Sequence, residues 1–257
     1  MTNTPSRFIW YELITSDIAA ARRFYGAVLG WTARDSGQPG QDYRQWSIGG
    51  DVVGGLMALP GGVASEGMEP LWLGYLSVAD VDASVRRILA AGGQVRMPAW
   101  DVPGVGRMAM VADPQGAAFY VMTPNGDTPS PAFSPGVAGH GGWNELHTGD
   151  WRAALEFYDD QFGFGKTAAM DMGPMGTYLL FNTGGDAVGG MMNSPAFPRP
   201  MWLYYFVVDD IHAGRDRIVA AGGAVLAGPH EVPSGDWIVQ ARDPQGAMFA
   251  LVGNNPA

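Results

Sequence analysis

Asp113-Pro114-Gln115-Gly116-Ala117 recurs as Asp243-Pro244-Gln245-Gly246-Ala247. Asp-Pro followed by Gly is turn chemistry, because Asp can bond its own backbone and Gly accepts a positive φ. Working outward, Ala90-Ala91-Gly92-Gly93 returns as Ala220-Ala221-Gly222-Gly223, and Pro70-Leu71-Trp72-Leu73 as Pro200-Met201-Trp202-Leu203. Gly54-Gly55-Leu56-Met57 returns as Gly189-Gly190-Met191-Met192, Phe24-Tyr25 as Phe157-Tyr158, and the opening Trp10-Tyr11-Glu12-Leu13 as Trp143-Asn144-Glu145-Leu146. So many matches in one order, at nearly constant offset, mean a duplication. Between the copies, Thr123 to Gly142 is rich in Pro, Gly and Ser and has no apolar period, which reads as a linker. We expect a first domain over 1–125, a linker over 126–140 and a second domain over 141–257.

Each half divides again. Alternation predicts a strand over 8–14. The next apolar stripe, Ile18, Ala21, Phe24, Tyr25, Val28 and Leu29, predicts a helix over 17–29, with Asp17 as its N-terminal acid and Gly30 as its stop. Strands are predicted near 43–48 and 52–59. The pattern then restarts, with a strand over 71–78, a helix over 80–91 stopped by Gly92, and strands near 107–111 and 117–122. In the second half, strands start near Trp143 and Met201, and helices are predicted over 150–162 and 210–221. The organisation is four βαβββ units, two per half, an α+β chain.

Composition narrows the function classes. The 257 residues suffice for two domains of ordinary size, and 47% hydrophobic content is normal for a globular protein. A net charge of −10 argues against a nucleic-acid partner, which needs a basic face. There is no cysteine, which excludes disulfides, thiolate metal sites and cysteine nucleophiles. Met1 to Ile9 lacks a basic region followed by an apolar core, and no apolar run reaches membrane-spanning length. We therefore expect a cytoplasmic chain with no membrane partner.

Phe24-Tyr25 with Leu29-Gly30-Trp31 and then Asp113-Pro114-Gln115-Gly116, repeated as Phe157-Tyr158 with Phe162-Gly163-Phe164 and Asp243-Pro244-Gln245-Gly246, resembles the vicinal oxygen chelate superfamily. This is the glyoxalase/bleomycin-resistance/dioxygenase group, and the tandem Trp-x-Glu-Leu form is similar to an actinobacterial subgroup that includes a secreted mycobacterial antigen. The resemblance implies two tandem domains, each an eight-stranded, partly closed sheet around a cup; the duplication, with a linker long enough to cross a domain, predicts that they pack as an intramolecular pseudo-dimer in a monomeric chain. It also implies, in metal-using members, a divalent ion held by His and Glu on cup-facing strands. Counting to those slots gives Trp10 and Trp143 on the opening strands, Gly74 and Tyr204 before the second helices, and Tyr120 and Ala250 after the turns. The remaining slot falls near Leu56–Leu59 and Met191–Ser194. A three- or four-ligand site needs convergent His, Glu or Asp, so no metal and no other cofactor is expected.

The residues left for chemistry follow from strand parity. Residues two apart share a face, so Trp10 lies with Glu12, and Trp143 with Glu145 and His147. If the slots face the cup, so do these groups. A carboxylate beside Trp in a cup is desolvated, which suits a general acid or base; it could equally neutralise a cationic ligand, or bond between the halves. Glu145, His147 and Glu12 are the candidate catalytic groups. Trp10, Trp143, Trp72, Trp202, Tyr75, Tyr120 and Tyr204 are the candidate ligand-binding aromatics, or alternatively core. Two readings stay open. One is a metal-independent protein that captures a small aromatic or cationic molecule, in the manner of a sequestering or resistance protein. The other is a glyoxalase-like lyase, isomerase or oxygenase-type enzyme using Glu145 and His147, or Glu12, as acid/base groups or unusual metal ligands.

Overall fold

A computed structural model describes residues 5–37, 42–59, 68–126, 128–195, 197 and 199–256. Residues 1–4 of the opening segment and residue 127 of the expected linker lie outside them. The first half runs β1 (Phe8–Thr15), α1 (Ile18–Leu29), β2 (Thr32–Asp35), β3 (Tyr43–Ile48), β4 (Asp51–Ala58), β5 (Leu71–Ser77), α2 (Val81–Ala90), β6 (Gln94–Val102), β7 (Gly106–Ala112) and β8 (Ala118–Pro124). The second half repeats it as β9 (Gly141–Thr148), α3 (Trp151–Phe162), β10 (Gly165–Asp171), β11 (Thr177–Asn182), β12 (Ala187–Asn193), β13 (Met201–Val208), α4 (Ile211–Ala220), β14 (Ala224–Glu231), β15 (Trp237–Arg242) and β16 (Met248–Gly253).

Each half forms one eight-stranded sheet. The orders are β2-β3-β4-β1-β5-β8-β7-β6 and β10-β11-β12-β9-β13-β16-β15-β14. The pairs β1–β4 and β9–β12 are parallel, whereas β3–β4 and β11–β12 are antiparallel. Both sheets are therefore mixed, and their edge strands leave them open. This is the four-unit βαβββ, α+β architecture expected from the repeat.

Among the described residues the four α-helices start alike. Asp17, Asp80, Asp150 and Asp210 each accept a first-turn backbone N–H on the side chain, which satisfies a donor the helix cannot. Helices α1 and α3 end on Gly30 and Gly163 at φ 73 and 71, where a side chain would strain the left-handed cap. Their apolar stripes bury Phe24 and Tyr25 in one case, Phe157 and Tyr158 in the other.

The contacts gather into two compact units that do not follow the halves. One holds the chain up to Ile9, Gly74–Pro129 and Asn144–Leu203; the other holds Trp10–Leu73, Ser130–Trp143 and the chain from Tyr204 onward. Each unit thus combines segments of both halves. The joint between the copies is tied down within the second unit: Gly141 N–H bonds Ala132 O, Ser134 N–H bonds Gly141 O, and His140 is buried.

Candidate functional site

In the first unit, β9 lies parallel to β12 with Glu145 opposite Gly190. β11 flanks β12 with Tyr178 opposite Met192, and the Tyr178 ring reaches diagonally to Gly190, where a Cβ would run into it. Glycine is what lets that ring lie across the strand, and the Tyr178 hydroxyl then donates to Glu145 Oε2 at 2.7 Å. The other carboxylate oxygen, Oε1, is 2.8 Å from His147 Nε2, two residues along the same strand face. That approach is off line for a hydrogen bond and counts as a close electrostatic contact. His147 Nδ1 lies 2.7 Å from Ser194 Oγ, and its ring packs on Phe197 at 4.2 Å between centroids. Glu145 and His147 are 5% and 3% exposed.

With the ring proton on Nε2, on the side of the carboxylate, Nδ1 can accept the Ser194 hydroxyl. Tyr178, Glu145, His147 and Ser194 form a polar chain that ends at an open cleft of about 360 Å³, lined by His147, Asn193, Ser194, Pro195, Phe197 and Arg199 among others. Asn193 is fixed at its Oδ1, which accepts the Trp151 N–H at 2.8 Å at the start of α3. The arrangement can exchange protons with a small molecule lying on Ser194 and His147.

The second unit holds the first half's version of the same frame. Glu12 pairs with Gly55, a Cβ on Gly55 would meet Tyr43, and the Trp10 indole donates to the Tyr43 hydroxyl at 3.0 Å. Ile14, however, stands where His147 stands, Ala58 where Asn193 stands, and Leu59 where Ser194 stands. The backbone bond from Leu59 N–H to Thr15 O is matched by Ser194 N–H to Thr148 O, which fixes the equivalence. The polar trio is therefore peculiar to the second half. That contrast could have been read by aligning the copies residue by residue; Tyr178 could not, because its role depends on cross-strand register.

The other candidate residues are distributed as follows. Trp72 and Trp202 are each 3% exposed and sit in separate units. Trp72 Nε1 donates to the Tyr25 hydroxyl at 2.8 Å, which in turn donates to Asp243 Oδ2 at 3.1 Å. In the first unit Trp202 Nε1 donates to Tyr158 at 3.0 Å, and Tyr158 to Asp113 Oδ2 at 3.2 Å. These relays explain the Phe-Tyr and Pro-x-Trp motifs as core, with the turn aspartates as their terminal acceptors. Burial pushes the Tyr25 hydroxyl well above its ordinary value, with the nearby Asp243 adding to the shift, so it remains a donor. Burial also raises Asp113 and Asp243, against the backbone N–H groups that favour their ionised forms.

Tyr75 and Tyr120 are buried and stacked at 4.3 Å. Tyr204 is wholly buried and packs on Tyr11 at 5.1 Å. On the opposite face of β13, Tyr205, which parity reading from the sequence passed over, accepts a hydrogen bond from Gln240 Nε2 at 2.9 Å. Trp10 and Trp143 are half-buried, and Glu12 is buried. The structure thus brings Glu145 and His147 into contact with each other, Tyr75 onto Tyr120, and Trp10 onto Tyr43.

A transition metal does not fit these residues. Among the described residues no group of three or more His, Cys, Asp or Glu converges as a metal site. Glu145 and His147 supply two donors, but Tyr178 occupies one carboxylate oxygen and Ser194 the outer imidazole nitrogen. Two ligands without a third seldom hold such an ion.

Residues 7–121 and 142–251 each match the family model described as Glyoxalase/Bleomycin resistance protein/Dioxygenase superfamily. The chain is 37% identical over 246 residues to "Putative glyoxylase CFP32" of Mycobacterium tuberculosis, covering 95% of this chain and 93% of that protein. It is 35% identical over 262 residues to "Anthracycline biosynthesis protein DnrV" of Streptomyces peucetius, covering 96% and 93%. Among solved structures, the Mn(II)-bound glyoxalase from Novosphingobium aromaticivorans superposes with a TM-score of 0.67 at 17% identity, covering 99% of this chain and 83% of that one. The 2,2',3-trihydroxybiphenyl 1,2-dioxygenase from Sphingomonas wittichii strain RW1 superposes with a TM-score of 0.69 at 12% identity, covering 97% and 91%. These two likenesses speak to fold alone.

Proposed function

The chain belongs to the glyoxalase/bleomycin resistance protein/dioxygenase superfamily, and we propose that this member binds a small aromatic molecule in its second half without a transition metal. The observation that carries this reading is the cleft at the end of the Tyr178–Glu145–His147–Ser194 chain. Phe197 and Pro195 give it a flat apolar wall, and His147, Ser194 and Asn193 give it convergent polar groups, the usual make-up of a ligand site. Both Glu145 oxygens already have partners within the chain, which favours an aromatic over a cationic ligand. A relative named for anthracycline biosynthesis is consistent with an aromatic one. The donor set argues against a metal.

A specific observation favours acid–base chemistry as a second reading. The imidazole and carboxylate are in contact, and the first half manages its fold with Ile14 in the imidazole's place. A place of work in the cytoplasm and a monomeric state complete the proposal. The latter is supported by compact units that each draw on both halves, and is checked by sedimentation.

The test uses full-length protein stripped of metal with a chelator. Planar aromatic compounds are screened by thermal shift, since a ligand at one hundred times its Kd adds about 2.7 kcal/mol of stability. The expected result is a shift of several degrees in metal-free protein that weakens in Glu145→Gln, with substoichiometric metal by elemental analysis. Binding that appears only when Zn, Ni, Fe or Mn is restored, or that ignores Glu145→Gln, refutes the reading.

A further inference from the structure

We propose that Ser194 is a nucleophile, activated by His147, and that the second half hydrolyses small carboxylic esters. This rests on the binding reading only in requiring that the cleft admit a small organic molecule.

Three observations carry it. First, Ser194 Oγ is 2.7 Å from His147 Nδ1, and His147 Nε2 is 2.8 Å from Glu145, whose far oxygen is held by Tyr178. A hydroxyl is a weak nucleophile until a base takes its proton, and a base works best when a third group orients it and stabilises its cation. Here the ring is used in the sense opposite to the familiar one, with Nδ1 toward the hydroxyl and Nε2 toward the carboxylate. Second, Ser194 is half-exposed on the cleft wall, so its oxygen is reachable, while His147 and Glu145 behind it are buried. Third, the fold does not need the polar groups. In the same frame the first half carries Ile14, Ala58 and Leu59 where the second carries His147, Asn193 and Ser194. A buried imidazole and its hydroxyl partner stand where an aliphatic pair would pack without desolvation cost.

The chemistry balances with water as the only co-reactant. Ser194 Oγ adds to the ester carbonyl carbon as its proton passes to His147 Nδ1, and Glu145 stabilises the resulting imidazolium. The carbonyl oxygen becomes an oxyanion. Asn193 lines the cleft, and its Oδ1 is taken by the Trp151 N–H, which leaves its amide N–H donors for that charge. The tetrahedral adduct collapses, the bond to the alcohol oxygen breaks, and the proton on Nδ1 goes to that oxygen. Water then attacks the acyl-serine, gives its proton to Nδ1, and the acid leaves as Ser194 Oγ is reprotonated. Ser194 and His147 are the catalytic residues; Glu145 and Tyr178 are positioning residues.

The experiment treats the full chain with an alkyl fluorophosphonate, which phosphonylates activated serines, and maps the adduct by peptide mass spectrometry. We expect one adduct, on Ser194, absent in Ser194→Ala and formed at least about 100-fold more slowly in His147→Ile, the usual scale of a general base. Leu59 and Ile14 in the first half argue that both variants fold, and far-UV circular dichroism checks it. Wild type should also release a burst of one nitrophenolate per chain from p-nitrophenyl acetate. No adduct, adducts spread over other hydroxyls, or an unchanged rate in His147→Ile overturns the proposal. Aromatic thermal shifts on the same wild-type sample separate the two readings: shifts retained without labelling sink the nucleophile alone, and loss of both sinks the binding reading as well.

Discussion

The carboxylate of Asp113 divides its acceptors between two partners. Oδ1 takes the N–H groups of Gln115, Gly116 and Ala117 and so makes the turn; Oδ2 takes the Tyr158 hydroxyl and ends the relay from Trp202. Burial outweighs these bonds and holds the folded pKa above the ordinary 3.8. The sign follows by linkage. As the pH falls through the raised folded value, the native state takes up a proton before the unfolded chain does. Stability from this group therefore grows on acidification and is complete below the unfolded value. Asp113→Asn keeps an oxygen for the turn and offers an amide to Tyr158, whose oxygen can accept, so it should fold. Stability by urea unfolding, wild type minus Asp113→Asn, should increase from neutral pH toward 3.8. A difference that is flat or shrinks on acidification would show that the ionised form is the better guest of this site.

The strand is the scale at which the candidate site is built, through a glycine. On β12 Gly190 leaves room for the Tyr178 ring from β11, and on β4 Gly55 does so for Tyr43 from β3. Gly190→Ala should push Tyr178 off Glu145 and cost roughly 1–3 kcal/mol, as small-to-large changes in packed places do. With Tyr178 already cut to Ala, the same change should cost much less. A double-mutant cycle read by unfolding gives this coupling, and additivity would mean that the ring does not depend on the glycine. Much of the element scale was legible beforehand. The four capping aspartates, the glycine stops and the Trp-x-Glu parity each state their structure in a few residues, and parity alone put Glu145 and His147 on one face. β2, β6, β10 and β14 were not placed, because they are largely exposed and carry no clean alternation. Trp72 and Trp202 could not be told from wall residues, since a tryptophan whose N–H is bonded in the core reads the same in sequence as one that meets a ligand. Tyr178 and Ser194 needed the register of three strands before they could be connected to Glu145 and His147.

At the scale of the whole chain, duplication supplies its own control. The two halves share capping residues, turns, Trp–Tyr–Asp relays and the Tyr-over-Gly crossing, so a position of one can be compared with its counterpart in the other within a common backbone frame. His147 and Ser194 standing where Ile14 and Leu59 stand in the other copy is such a contrast, and it shows that the frame forms without the polar pair. Exchanging both partners of a buried polar pair for apolar groups of fitting shape is near neutral or stabilising, whereas removing one strands the other. The double variant His147→Ile with Ser194→Leu should therefore unfold at a denaturant midpoint equal to or above that of wild type, with an unchanged m-value. Ser194→Leu alone should be less stable, because the largely buried His147 loses the hydroxyl partner of its Nδ1 at the cleft wall. The same double variant should lose the aromatic thermal shift and the fluorophosphonate adduct together. A double variant that unfolds more easily than wild type would assign the pair to the core of the second half. A stable double variant that keeps its ligand response would place the working site elsewhere, with Glu12, Tyr43 and Trp10 of the first half the next residues to change.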